Sequence, residues 1–287
     1  MAATVQTTIV HLAQDEKFRY EKPFKIMLDV SELGYPQSNY ELTESKTDAI
    51  DATSLRETLS INKNGFQFLV SPTKLHDSDF DDEQLIIKSY YPEVISLVQR
   101  LFTGGAEVFA LGHRRRISGK NVSRDSKHLI PVPYAHVDYT PAGSLVGCRE
   151  LFDAKPELQG RQFQLITLWR VTKGPNNDWP LALCDFQSIQ VNRDMEEGDV
   201  IHRHDVGEHG LLYHDPSHRW YYLPHQQVED VIAIRHSDTR GYEIPFAPHA
   251  SFDALKGREV GASEKRRSIE VTLACFPSAR ATTEEDT

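Results

Sequence analysis

The sequence predicts a mainly β fold with flanking helices, built as a β-sandwich or jelly-roll barrel. Three observations carry this. Nine short strand-like runs crowd the chain from residue 106 onward, one clear helical run precedes them, and the rest of the first half is mixed. At 287 residues and 39% hydrophobic content the chain is long enough for one large core. It reads as a single domain over 1–287: a mixed α/β part over 1–105 packing on the barrel, a jelly-roll core over 106–277 and a disordered tail over 278–287. Residues 1–17 read as a second loose end.

In chain order, residues 18–30 (FRYEKPFKIMLDV) read as extended, and 57–70 as a hairpin turning at Asn62–Gly65. Residues 82–102 carry the helical signal, with Val94, Leu97, Val98 and Leu101 at helical spacing and Gly104–Gly105 as the stop. Pro92 divides that run into a lead-in and a main helix. The strand candidates beyond are AEVFALG, PYAHVDYT, QFQLITLWRV, LALCDFQSI, GLLYHD, RWYYLP, DVIAIRH, PFAPHASF and SIEVTLACF. A jelly roll leaves its interior open at one end, so polar residues on buried strand faces become site candidates.

Composition removes several function classes. The net charge is −10, and the run Arg114–Arg116 is too short for a cationic stripe, so no nucleic-acid partner is expected. Cys148, Cys184 and Cys275 are odd in number and widely spaced, which gives no disulfide framework. No apolar run approaches the roughly 20 residues of a membrane span, and the N-terminus lacks a basic head and apolar core. The expectation is a soluble, cytoplasmic protein, with a homodimer as the default assembly.

Chemistry concentrates in Pro133–Pro141, where His136 and Asp138 stand two apart. On a strand, i and i+2 share a face, so imidazole and carboxylate reach one metal together. His249 supplies a third ligand from a late strand. Two histidines and one carboxylate are the set used by non-haem Fe(II) oxygenases, with positions left free for co-substrate and O2. The bland reading of His136 is a buried histidine bonded to Asp138. Further on, Arg266, Ser268, Glu270 and Thr272 alternate with Ile269, Val271 and Leu273. An Arg-x-Ser pair suits the distal carboxylate of a dicarboxylic keto acid. Alternation with Ser268 favours Arg266 over Arg267, and an irregular strand start would reverse that choice.

With these residues in place, the blocks HVDYTP, LWRVTKGPNNDWPLALCD, HRWYYLP, PFAPHASFD and RRSIEV resemble the fungal hydroxylase/desaturase family that includes gibberellin desaturase and the aspergillic-acid pathway enzyme, and that is related to a bacterial cephalosporin methoxylation partner protein. The resemblance spans roughly residues 18–276, with Trp169–Asp185 its most specific block. It implies a double-stranded β-helix, dependence on Fe(II), 2-oxoglutarate and O2, and work on secondary metabolites. It places the iron ligands on His136, Asp138 and His249, and the co-substrate arginine on Arg266. The chain departs from the family pattern at Thr167, where Asn is usual, at Val171, where Pro is usual, and at Thr272, where Arg is usual. Thr167 is retained as a co-substrate contact.

Other residues have two readings. Arg170 projects toward substrate or holds Asp185 in a buried ion pair, the more economical reading for a buried arginine. Tyr139 lines the pocket mouth or, as strand alternation implies, points away; Trp169 and Asp185 complete the tentative substrate shell. Trp220, Tyr221 and Tyr222 read mainly as core aromatics. The stretch from Gly198 to His209 reads as a solvated loop, although His202, His204 and Glu208 resemble half of a cupin metal motif. The expected activity is therefore Fe(II)/2-oxoglutarate-dependent C–H oxidation (hydroxylation, desaturation or rearrangement) of a small natural product. The alternative is a cupin-like isomerase or dioxygenase on His202, His204 and Glu208.

Overall fold

The computed structural model describes residues 2–119, 128–258, 261 and 264–278. Its strands are β1 (Thr4–Leu12), β2 (Phe24–Ile26), β3 (Leu42–Asp51), β4 (Phe66–Val70), β5 (Ala106–Ile117), β6 (His136–Val137), β7 (Gln164–Val171), β8 (Leu181–Cys184), β9 (Met195–Ile201), β10 (Val206–Leu212), β11 (Trp220–Tyr222), β12 (Asp230–Asp238), β13 (His249–Ser251) and β14 (Arg267–Pro277). They form a nine-stranded sheet, β1-β3-β11-β8-β13-β6-β10-β9-β2, and a five-stranded sheet, β4-β12-β7-β14-β5.

The five-stranded sheet is covered on both faces, which is why every residue of β7 and β12 is buried. On its outer face Leu168, Val231, Ala233, Ile269, Val271 and Leu273 pack on Val94, Leu97 and Val98 of the helix Tyr91–Gln99. Each such aliphatic side chain contributes about 1.5–3 kcal/mol on burial. On its inner face Trp169, Val171, Ile232 and Ile234 meet Leu181 and Leu183 of the larger sheet. The two sheets thus enclose the barrel interior and leave the helix outside, as a jelly roll requires. Pro92 sits in the first turn of that helix, directly after a π-helical lead-in over Ile86–Tyr90.

Several expectations are corrected. Residues 4–12 are not loose: β1 pairs with β3 in continuous register from Thr4↔Ile50 to Leu12↔Leu42. Its other edge also bonds, with Val10 N–H donating to Pro133 O (3.3 Å) and Ala135 N–H to Val10 O (2.8 Å). A mostly polar stretch rich in threonine hid the alternation that buries Thr7, Ile9 and His11. Residues 57–70 are not a hairpin. Ile61–Asn64 form one helical turn, and Gly65 ends it at φ 81°, in the left-handed conformation that closes helices as readily as hairpins. Within 18–30 only Phe24–Ile26 is a strand, after a short 3-10 turn over Glu16–Arg19. The three cysteines are buried and free, as expected. Of the predicted tail, residues 279–287 lie outside the described residues.

Candidate active site

The shortest strands carry the densest chemistry. β6 and β13 are adjacent and antiparallel, and His249 is the register partner of His136. The rings lie 4.6 Å apart between centroids. Strand β6 ends at Val137, yet the following bend still brings Asp138 back, with Oδ1 3.3 Å from His136 Nε2. Ligand atoms of His136, Asp138 and His249 all fall within 4.8 Å of one another, and they are the only such grouping of three or more among the described residues.

The tautomers follow from the backbone. His136 Nδ1 donates to Tyr134 O (2.8 Å) and His249 Nδ1 to Ala247 O (3.3 Å), each two residues back. Both imidazoles therefore turn an unprotonated Nε2 inward, the state a metal needs. Burial, reinforced by His136, pushes His249 down to about 3. Burial works to raise Asp138, but His236, His136 and His249 together hold its carboxyl well below the usual range. A metal would thus meet one carboxylate and two imidazole Nε2 atoms, a donor set suited to Fe(II).

These residues line one side of a small, partly open cavity; Val132, Leu181 and Ile234 give it apolar walls, and Arg266 with Trp169 lines another side. Arg266 is 2% exposed and faces inward because its backbone N–H is held by the Asp178 carboxylate (3.0 and 3.1 Å). Its Nη1 donates to Ser251 Oγ (2.7 Å) and Trp179 O (2.8 Å), and the guanidinium lies 5.3 Å from the centre of the Trp169 ring. Nε and Nη2 of Arg266, and Ser268 Oγ, are buried without a hydrogen-bond partner. Burial and the nearby Arg116 lower Arg266 to about 9 against the pull of Glu270 and Asp178, so it stays cationic at neutral pH. A buried cation with two open donors suits a carboxylate by its chemistry; Ser268 follows two residues on along β14 and is not among the residues that line the cavity. Arg267 instead reaches Asp77 (2.9 Å) and Asp81 (2.8 Å) outside the cavity.

The remaining candidates divide. Thr167 and Trp169 line the cavity, two apart on β7. Thr167 Oγ1 is already engaged with Thr272 Oγ1 (3.2 Å) and His236 Nε2 (2.8 Å). Arg170 faces the opposite way, 5.2 Å from the Tyr90 ring centre, and donates to Val228 O. It does not pair with Asp185, which holds Arg219 (2.7 Å) and Asn64 (2.9 Å) away from the cavity. Tyr139 packs behind the site, its ring 6.0 Å from that of His236. The stretch read as a loop is the hairpin of β9 and β10, paired from Val206↔Ile201 onward. His202 and His204 are exposed at its tip, and Glu208 bonds Lys22 and Thr140. Residue-level reasoning missed Ser251, which shares the inward face of β13 with His249. It also missed the Arg116–Glu270 pair (2.9 Å) in the cavity wall, and the buried His209 and His236.

Residues 10–276 match the family described as an oxidoreductase/YMDC permease-like domain. The chain belongs to that family. This oxidoreductase is 28% identical over 228 residues to the Fe(II)/2-oxoglutarate-dependent dioxygenase nvfI of Aspergillus novofumigatus, covering 76% of this chain and 79% of the relative. It is 26% identical over 253 residues to the hydroxylase/desaturase efuI of Hormonema carpetanum, covering 79% and 81%. Its fold is that of the iron and alpha-ketoglutarate-dependent endoperoxidase NvfI, with a TM-score of 0.80 at 21% identity, covering 96% and 98% of the two chains. The resemblance to fungal hydroxylase/desaturases is thereby borne out. No helix among the described residues is long and apolar enough to cross a membrane.

Proposed function

We propose that His136, Asp138 and His249 hold iron, that Arg266 with Ser268 receives the distal carboxylate of 2-oxoglutarate, and that Thr167 and Trp169 flank it. The protein is an Fe(II)/2-oxoglutarate-dependent dioxygenase that acts on a small molecule of fungal secondary metabolism. One observation carries the residue assignment: three convergent donors and a buried arginine with unmet N–H groups line the same cavity. Iron with 2-oxoglutarate and O2 supplies the power to oxidise an unactivated C–H bond, with succinate and CO2 as co-products.

The chain's own residues do the positioning. The Tyr134 and Ala247 carbonyls fix both imidazoles with Nε2 inward. Ser251 and the Trp179 carbonyl hold one arm of the Arg266 guanidinium and leave the other for a carboxylate. Val132, Leu181 and Ile234 keep water from the reacting centre. The apolar wall favours a largely hydrocarbon substrate; hydroxylation, desaturation and rearrangement share this apparatus and differ in how the substrate is held. The chain is read as a single oxygenase domain, cytoplasmic and homodimeric. The test is succinate formation from 2-oxoglutarate under Fe(II) and air: wild type forms it, Asp138→Ala does not. Undiminished succinate from that variant would sink the ligand assignment.

A further inference from the structure

Strand β12 carries a register irregularity beside the cavity. Arg235 pairs with Ile166 and Ser237 with Leu165, so His236 is an extra residue with no opposite number on β7. A bulge re-aims a side chain, and such bulges recur next to active sites. Here it accompanies an imidazole buried to 2% exposure against the ring of His249, 5.4 Å between centroids.

His236 Nε2 lies 2.8 Å from Thr167 Oγ1 and 3.5 Å from Asp138 Oδ2, while Nδ1 is buried with no partner. A buried ring nitrogen without an acceptor is better left unprotonated, so the proton belongs on Nε2, where Thr167 Oγ1 accepts it. Thr167 then donates its own O–H to Thr272 Oγ1 (3.2 Å), its register partner on β14. The two oxygens of Asp138 are thus divided: Oδ1 faces His136 at 3.3 Å and Oδ2 faces His236.

We propose that His236 is a positioning residue that steers Asp138: with its Nε2–H bonded to Thr167 Oγ1 (2.8 Å), the electropositive edge of the ring faces Oδ2 at 3.5 Å and holds that oxygen by attraction, so that the carboxylate offers a single oxygen, Oδ1, to a metal. This rests on the reading that Asp138 is a ligand. A carboxylate free to turn would chelate with both oxygens and occupy a position otherwise open to the co-substrate. Outer partners of this kind are worth about 10–100-fold in metal affinity.

The test uses two substitutions of similar size and polarity in the full chain. His236→Gln places an amide N–H near the former Nε2, whereas His236→Asn places it near the former Nδ1. Co(II) is titrated into metal-free wild type, both variants and Asp138→Ala, following affinity and the visible d–d bands. We expect H236Q to keep the wild-type bands and bind within about 3-fold, and H236N to lose about 10–100-fold with shifted bands. Wild-type affinity and bands in H236N would overturn the proposal. So would an H236Q as weak as H236N, because ring packing rather than the proton would then be the cause. Wild-type Co(II) binding by Asp138→Ala is a separate failure, that of the ligand assignment itself.

Discussion

His136 and His249 are register partners across antiparallel β6 and β13, and each ring is locked by the carbonyl two residues before it. The pairing matters because directly opposed residues on neighbouring strands bring their side chains together without any loop having to be held in place. Asp138 completes the group from a bend, and its carboxylate carries the negative charge that offsets a cation.

Removing either imidazole is therefore expected to abolish metal uptake. His136→Ala and His249→Ala should each bind Fe(II) at least about 100-fold more weakly than wild type, by loss of one of only three protein ligands. Isothermal titration under argon measures this. Retained stoichiometric binding in either variant would exclude that residue as a ligand.

The two neighbouring arginines should separate cleanly. Arg266→Gln is expected to raise the KM for 2-oxoglutarate by about 10–100-fold, the loss of one charge-assisted pair. Arg267→Gln should leave it unchanged, since that side chain pairs with Asp77 and Asp81 outside the cavity. Initial rates of succinate release against 2-oxoglutarate concentration decide it.

The hairpin histidines provide a contrast. His202→Ala with His204→Ala should keep wild-type iron content and turnover, because both side chains lie exposed at the tip of β9 and β10. Loss of bound iron in the double variant would revive the cupin-like alternative.

Acid should unfold the metal-free protein early. Burial, with His214 for one and His136 for the other two, lowers His11 to about 4 and His209 and His249 to about 3. In the unfolded chain these imidazoles titrate near 6.5. Below that pH the unfolded state takes up protons that the folded state refuses, so stability is complete above it and falls as pH descends toward the folded values. The slope is about 1.4 kcal/mol per pH unit for each histidine. Urea midpoints between pH 7 and 4 read the trend, and a flat profile would contradict it.

Gly65→Ala should cost at least about 3 kcal/mol. The glycine sits at φ 81°, and an added Cβ would lie 2.2 Å from the carbonyl carbon of Phe246. Thermal melts compare the two proteins, and a shift of only a degree or two would mean that the Phe246 backbone yields.

The residues proposed for metal and keto acid were legible as a group because their chemistry restricts residue type and their strands impose a period of two. That period placed Arg266 with Ser268 and away from Arg267. His236 was not legible: it sits in a bulge, where alternation fails, at the end of a run (DVIAIRH) that otherwise reads as plain core. Ser251 escaped because a three-residue strand is too short to display a pattern. The partner of Arg170 was misjudged because sequence offers several acids and cannot tell that Arg219 has taken Asp185. β1 was misjudged because its hydrogen bonds go to β3 and to the segment Pro133–Ala135, both distant along the chain.

That last feature sets the order in which the molecule can mature. Val10 bonds the backbone just before His136, Ala135 O accepts from Leu212, and His136 pairs with His249. No local segment holds the three donors together, and contacts so distant along the chain form slowly. The first strand can pair with β3 early, but its second edge is met only by the segment that leads into His136, and His136 is met only by β13. A growing polypeptide that has not yet reached β13 would therefore lack one of the three proposed iron donors, His249.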